Sequence, residues 1–95
     1  MDWKDLRPLV REIAIEMEKR FRANDHKNGG GFDDDFSVIV KLLEEVHELA
    51  NVVCDYHDPD GIVREAADVC NLAAMVASYS SGRLPSWEAQ RGEGE

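Results

Sequence analysis

Five carboxylates stand out in this chain by type and spacing. Glu44, Glu45 and Glu48 lie in the run Glu44-Glu45-Val46-His47-Glu48, and Glu65 and Asp68 follow after sixteen intervening residues. At about 100° per residue along a helix, the first three fall within one arc about 100° wide. That arc is either a solvated acidic face or a site for a cation. Like charges so placed cost stability unless something positive sits beside them, and Lys41 alone does not neutralise three. Glu65 and Asp68 form a second pair three residues apart. Asp68 lies in the run Ala66 to Ala77, where the only other polar residue is Asn71. A helix that is apolar nearly all round belongs in a core, and an unpaired carboxylate there is expensive. Asp68 therefore needs a salt bridge, for example from Arg64 one turn earlier, or else a coordinated cation or a substrate contact.

Three amphipathic segments position these residues. The first runs from about Asp5 to Asp25, with Leu6, Leu9, Val10, Ile13, Met17 and Phe21 as its apolar stripe and Pro8 in its first turn. Glu16 to Arg20 and Glu18 to Arg22 are pairs four apart in the favourable order. Asn28-Gly29-Gly30-Gly31 breaks this segment and reads as a connector. No Gly-Lys-Ser/Thr follows, so a phosphate loop is disfavoured. Asp33-Asp34-Asp35 supplies an N-cap and first-turn acids for the second segment, about Phe36 to Tyr56. Its apolar face is Ile39, Leu42, Leu43, Val46, Leu49, Ala50 and Val53. Asp58-Pro59-Asp60-Gly61 reads as a turn, and the third segment runs from about Ile62 to Ser80. Residues 1–83 are thus expected to form one all-α domain, an antiparallel helical bundle, and residues 84–95 a loose tail. So short a domain is marginal alone, and the apolar third segment suggests completion by self-association.

The short turn makes the second and third segments antiparallel neighbours, so Glu45 and Glu48 on one can face Glu65 and Asp68 on the other. Four or five carboxylates in one pocket suit Mg²⁺ or Mn²⁺ rather than Zn²⁺, and such ions usually act with phosphates. The chain has 95 residues and a formal net charge of −9, which disfavours nucleic acid polymers and anionic membranes. No apolar run approaches the ~20 residues of a membrane span, and the charged start does not read as a signal peptide. Cys54 and Cys70 read as reduced core thiols. Basic residues concentrate early: residues 1–28 carry net +1 and residues 29–95 net −10. Arg22, Lys27 and Lys41 are the basic candidates for a phosphate chain, and each is otherwise an ordinary surface charge.

Glu-Glu-x-x-Glu at 44–48 followed by Glu-x-x-Asp at 65–68 resembles the signature of the MazG-like, all-α nucleoside triphosphate pyrophosphohydrolases. Asn24-Asp25-His26-Lys27-Asn28-Gly29-Gly30 is also similar to the end of the first helix in short bacterial and phage proteins of that kind. The resemblance spans the three segments and leaves out the tail. It implies a cytoplasmic, bacterial or phage-encoded homodimer or homotetramer. Its activity would be Mg²⁺- or Mn²⁺-dependent cleavage of a (deoxy)nucleoside triphosphate to monophosphate and pyrophosphate. By motif position Glu45, Glu48, Glu65 and Asp68 would hold metal. Glu44 would bind a further metal or, with Glu45, serve the attacking water. Asn71 would bond sugar or base. The related phosphoribosyl-ATP pyrophosphohydrolases usually carry Tyr-His soon after the second motif, where this chain has Val69-Cys70-Asn71-Leu72. Trp3, Phe21, Phe32 and Phe36 are candidates to stack on a base, or to pack in the core.

Other chemistries compete. Glu44-x-x-His47 fits the Glu-x-x-His of carboxylate-bridged di-iron bundles, but leaves Glu45, Glu48 and Asp68 without a role. His47 is in line with Leu43, Ala50 and Cys54, so a packed histidine is simpler. A non-catalytic acidic interaction module fits the charge but does not explain Asp68 and Asn71 in an apolar helix. Cys54-x-x-His57 lacks the second half of a zinc site.

Overall fold

The computed structural model of the chain describes residues 1–24, 34–55 and 58–85. These residues are all-helical, with no strand among them. A 3-10 turn over Trp3–Asp5 precedes α1 (Pro8–Asn24), α2 (Asp35–Asp55) and α3 (Pro59–Ser81). The glycine connector, Lys27, Phe32, Asp33 and His57 lie outside the described residues, as does the tail from residue 86 onward.

The helix boundaries follow from local chemistry. Arg11 donates through its guanidinium to the Leu6 carbonyl and, at 3.4 Å, to that of Lys4, tying the 3-10 turn to the start of α1. Pro8 opens α1, where its missing N–H would have had no partner in any case. Asp34 caps α2: its Oδ1 accepts the Ser37 N–H at 2.8 Å, and that bond holds its carboxyl below the ordinary range. The expected turn at Asp58 to Gly61 is shorter than the composition suggests. Pro59 already occupies the first helical position and Gly61 is buried inside α3, so only Asp58 stands outside as N-cap. At the other end Gly82 adopts φ +67 and returns its N–H to the Ser78 carbonyl, 3.2 Å away. A left-handed residue at that position costs glycine least, so α3 stops there.

The third helix packs against both others, more extensively against α2 than α1. Near the far ends of the α2–α3 pair, the Ser80 hydroxyl donates to Asp35 at 2.9 Å, as antiparallel neighbours require. Val38, Leu72 and Met75 are the buried centre of the core, with Phe21, Leu42 and Val76 packed around them. No described residue of α1 is fully buried, so α1 lies on the surface of α3.

The sequence places the excess apolar surface on the third segment; the structure places it chiefly on α2. Val38, Leu42, Glu45, Leu49 and Val52 share the inward arc of α2. Phe36, Val40, Leu43, Ala50 and Cys54 share the opposite arc and are all exposed, Phe36 at 73% and Leu43 at 65%. His47 lies on that outward stripe as well and is exposed, not packed in the core as expected. Cys54 is exposed rather than a core thiol, and Cys70 is partly buried; both are free. No helix among the described residues is long and apolar enough to cross a membrane.

Val38 is fully buried at the core centre. Val38→Ala removes two methyl groups with little room to collapse, and is expected to cost about 2 kcal/mol of unfolding free energy, read from the midpoint of a urea titration.

Candidate functional site

The seam between α2 and α3 carries the acidic residues. Glu45 projects from the inward arc of α2, one turn beyond Lys41 and one before Leu49. Glu65 and Asp68 project from the face of α3 that also carries Leu72 and Met75. One carboxylate oxygen from each of Glu45, Glu65 and Asp68 lies within 4.8 Å of the others. A divalent ion with bonds of about 2.1 Å holds its oxygens roughly 3–4.2 Å apart, so the three are close to that spacing. The donor set is all oxygen, as Mg²⁺ and Mn²⁺ prefer. Glu45 is buried, and Glu65 Oε2 is enclosed without a hydrogen-bond partner. An acceptor left in that condition fits a cation or a donor arriving from outside.

Electrostatics follow from the crowding. Burial raises the Glu45 carboxyl above its ordinary range, and the charges of Glu48 and Asp68 add to this while Lys41 opposes it. Burial likewise raises Glu65, reinforced by Glu45, Asp68 and Glu48 and opposed by Arg20. Burial alone would lower Lys41, but Glu45 and Glu44 outweigh it and hold the ammonium more firmly. Lys41 Nζ stands 3.5 Å from an oxygen of each of those two residues.

The fourth expected ligand, Glu48, is exposed and outside the cluster, although its charge reaches Glu45 and Glu65. Glu44 is exposed, at the solvent edge with Lys41. Glu44 and His47 are not part of the cluster found among the described residues; the di-iron alternative draws its ligands from two copies of the chain, which a single chain does not bring together. Asn71 is 5% exposed; its amide nitrogen donates to the Met17 carbonyl of α1 at 3.0 Å, and its Oδ1 is buried without a partner. Arg22 is exposed and donates to Glu18 at 2.8 Å. Phe21 packs against the core, Phe36 is exposed, and Trp3 lines a shallow depression with Ala14, Ile15, Glu18, Lys19 and Arg22. Ala14 borders the inward arc of α1, whereas Ile15, Glu18, Lys19 and Arg22 are exposed on its outer side, away from the carboxylates.

Asp68 does have a salt bridge, and its partner is not Arg64. Arg20 of α1 grips it with both ends of its fork: Nε donates to Oδ1 at 2.8 Å and Nη2 to Oδ2 at 3.1 Å. Arg64 instead lies 3.9 Å from Asp58. The expected Glu16–Arg20 pair gives way to this longer-range contact, and Glu16 pairs with Lys19 at 3.3 Å. A charge-assisted pair of this kind contributes about 1–2 kcal/mol at partial exposure. The Asp68 bond chiefly holds the Arg20 guanidinium in its charged form, and the Glu65 and Glu45 charges reinforce it. Arg20 is the residue of this site that the sequence did not single out. One signal was available: it shares the inward arc of α1 with Ile13, Met17 and Phe21, where a lone charge calls for a partner.

No protein-family model matches the chain, and no characterised protein or solved structure matches it.

The raised carboxyls of Glu45 and Glu65 carry a stability consequence. Each binds its proton more tightly folded than unfolded, so stability falls as pH rises from the ordinary glutamate range through the folded-state values. In the presence of EDTA, Glu45→Gln and Glu65→Gln are therefore expected to raise the melting temperature at pH 7. The gain should disappear at pH 4, where the wild-type groups are largely protonated. A lower melting temperature for both variants at pH 7 would show that the carboxylates are not under strain.

Proposed function

We propose that this protein is a divalent-metal-dependent nucleoside triphosphate pyrophosphohydrolase, with its site in the α2–α3 seam. The observation that carries the reading is the convergence of Glu45, Glu65 and Asp68 from two antiparallel helices into one partly enclosed all-oxygen cluster. The order of the two acidic motifs, which resembles that of the MazG-like enzymes, supports it. A net charge of −9 argues against polymeric nucleic acid as the substrate and is compatible with a small anion brought in with a cation.

In this reading Glu45, Glu65 and Asp68 hold Mg²⁺ or Mn²⁺, with Glu48 joining from the rim. The ion would offset the charge of the triphosphate and lower the pKa of an attacking water. Glu44 or Glu45 accepts the proton as the water oxygen bonds to the α-phosphorus. The α–β phosphoanhydride bond then breaks, and pyrophosphate departs from the monophosphate. Lys41 sits on the flank of the cluster, where a polyphosphate oxygen would meet it. Arg22 faces away from the carboxylates and pairs with Glu18, so it is not among the proposed contacts of the anion, and Lys27 lies outside the described residues. A sugar or base donor would address Asn71 through Oδ1, because its amide already serves Met17.

Self-association is part of the proposal. The second helix is apolar on both sides, and its outward stripe of Phe36, Val40, Leu43, Ala50 and Cys54 is uncovered in one chain. A second copy laid on that stripe would give a homodimer, and pairing of dimers a homotetramer. Leu43→Glu is expected to shift the mass measured by light scattering towards a single chain, with the helical circular dichroism retained.

One specific observation favours a second reading. Asp68 and Asn71 both have partners on α1, in Arg20 and Met17, so polar residues in an apolar helix do not by themselves demand a ligand. In that reading the chain is a non-catalytic acidic module and the cluster only clasps its helices. Product analysis separates the two. Purified protein with each nucleoside triphosphate and Mg²⁺ or Mn²⁺ is expected to release monophosphate and pyrophosphate. That release should stop with EDTA and fall at least roughly a hundredfold in Glu45→Gln and Asp68→Asn. Diphosphate and orthophosphate would overturn the reaction assignment, and no turnover of any nucleotide would favour the clasp.

A further inference from the structure

The contact between Arg20 and Asp68 joins an element outside the seam to the cluster inside it. The guanidinium occupies both oxygens of Asp68 and also feels the charges of Glu65 and Glu45. It is thus the resident countercharge of the cluster on its α1 side, as Lys41 is on the α2 side. A divalent ion held by the same three carboxylates would lie within a few ångströms of Arg20 and repel it. It would also compete for the Asp68 lone pairs that the fork now engages. The Arg20 side chain is 31% exposed, against 15% for Asp68, so the guanidinium has a route towards solvent while the carboxylate stays in the seam.

We propose that Arg20 is an exchangeable cation: it neutralises the cluster in the metal-free protein and is displaced from Asp68 when a divalent ion binds. The released guanidinium then serves as a ligand for the polyphosphate of the substrate. Its planar fork suits phosphate oxygens as well as it suits a carboxylate. The exchange keeps the seam from carrying an uncompensated cluster of like charges at either stage. It also couples occupancy of the α2–α3 site to α1, which retains the Asn71–Met17 bond as its polar tie to α3. This inference rests on the metal-site reading given above.

The test is a pair of titrations on Arg20→Gln and Arg20→Lys, each checked for folding by circular dichroism. The probes are Mn²⁺ alone, followed by its electron paramagnetic resonance signal, and inorganic tripolyphosphate added to the Mn²⁺-saturated protein, followed by calorimetry. Arg20→Gln is expected to bind Mn²⁺ roughly five- to tenfold more tightly than wild type and tripolyphosphate about tenfold more weakly. Arg20→Lys keeps the charge without the fork and should fall between the two in both titrations; it also carries the test if the glutamine variant does not fold. The opposite signs distinguish exchange from a structural clasp, whose loss would weaken both ligands together. Mn²⁺ affinity that is unchanged or weaker in both variants overturns the exchange and leaves the metal site standing. Absence of Mn²⁺ binding in wild type and variants alike overturns the metal site and the exchange with it.

Discussion

Glu45, Glu65 and Asp68 repel one another across a seam that the core requires to be closed, and much of the polar architecture answers that repulsion. The seam closes because Val38 and Leu42 of α2 pack with Leu72 and Met75 of α3, adjoining the acidic residues on the same faces. Apolar contact therefore forces carboxylates together that water would keep apart. Lys41 from within α2 and Arg20 from α1 supply the opposing charge. Without them, burial and like charge would act against the same packing that orders the helices.

That arrangement gives α1 a role beyond covering α3. None of its described residues is fully buried, so its apolar stripe adds only part of what docks it. Polar ties among the described residues add to the docking: the forked pair from Arg20 to Asp68 and the bond from Asn71 to the Met17 carbonyl. Both reach α3 within one turn of each other, beside the acidic cluster. The attachment of α1 and the charge state of the seam are consequently linked. A change at the carboxylates is felt by a helix that contributes none of them.

Much of this was legible in the sequence. Periodicity located three helices to within a few residues, and the spacing within Glu44–Glu48 and Glu65–Asp68 put acids on facing arcs. The Asp34 cap followed from a polar residue placed just ahead of an apolar period. The failures share a physical cause. Arg20 and Asp68 are 48 residues apart, and no local rule selects between that contact and the helical pair with Glu16. Propensity and spacing describe neighbours on one helix, whereas a buried carboxylate takes whichever cation the packing delivers. The same limit merged the two arcs of α2: Leu43, Val46, Ala50 and Val53 read as part of one apolar face with Leu42 and Leu49, yet all four are exposed. Apolar residues on both arcs of a helix do not tell which arc the chain itself buries. Glu48 marks the limit of spacing as a guide: it follows Glu45 by three residues, yet stays at the solvent rim while Glu45 is buried.

The outward stripe and the acidic seam lie on opposite sides of α2, and that geometry constrains how a larger assembly could work. A partner seated on Phe36, Val40 and Leu43 would cover the side of the helix turned away from Glu45, leaving the rim with Glu44 and Glu48 open between the two. Pairing through this face would then stiffen α2 without closing the site. It would also bury apolar surface in a domain whose own core has few fully buried side chains, the kind of deficit that small domains make up by association. A helix fixed by a partner on one side and strained by carboxylates on the other can hold those carboxylates in place at lower cost to the fold. Strain at a site persists only where the surrounding structure over-determines it. Under the proposed pairing, the exposed stripe of α2 is the face through which a second copy would supply that excess of constraint.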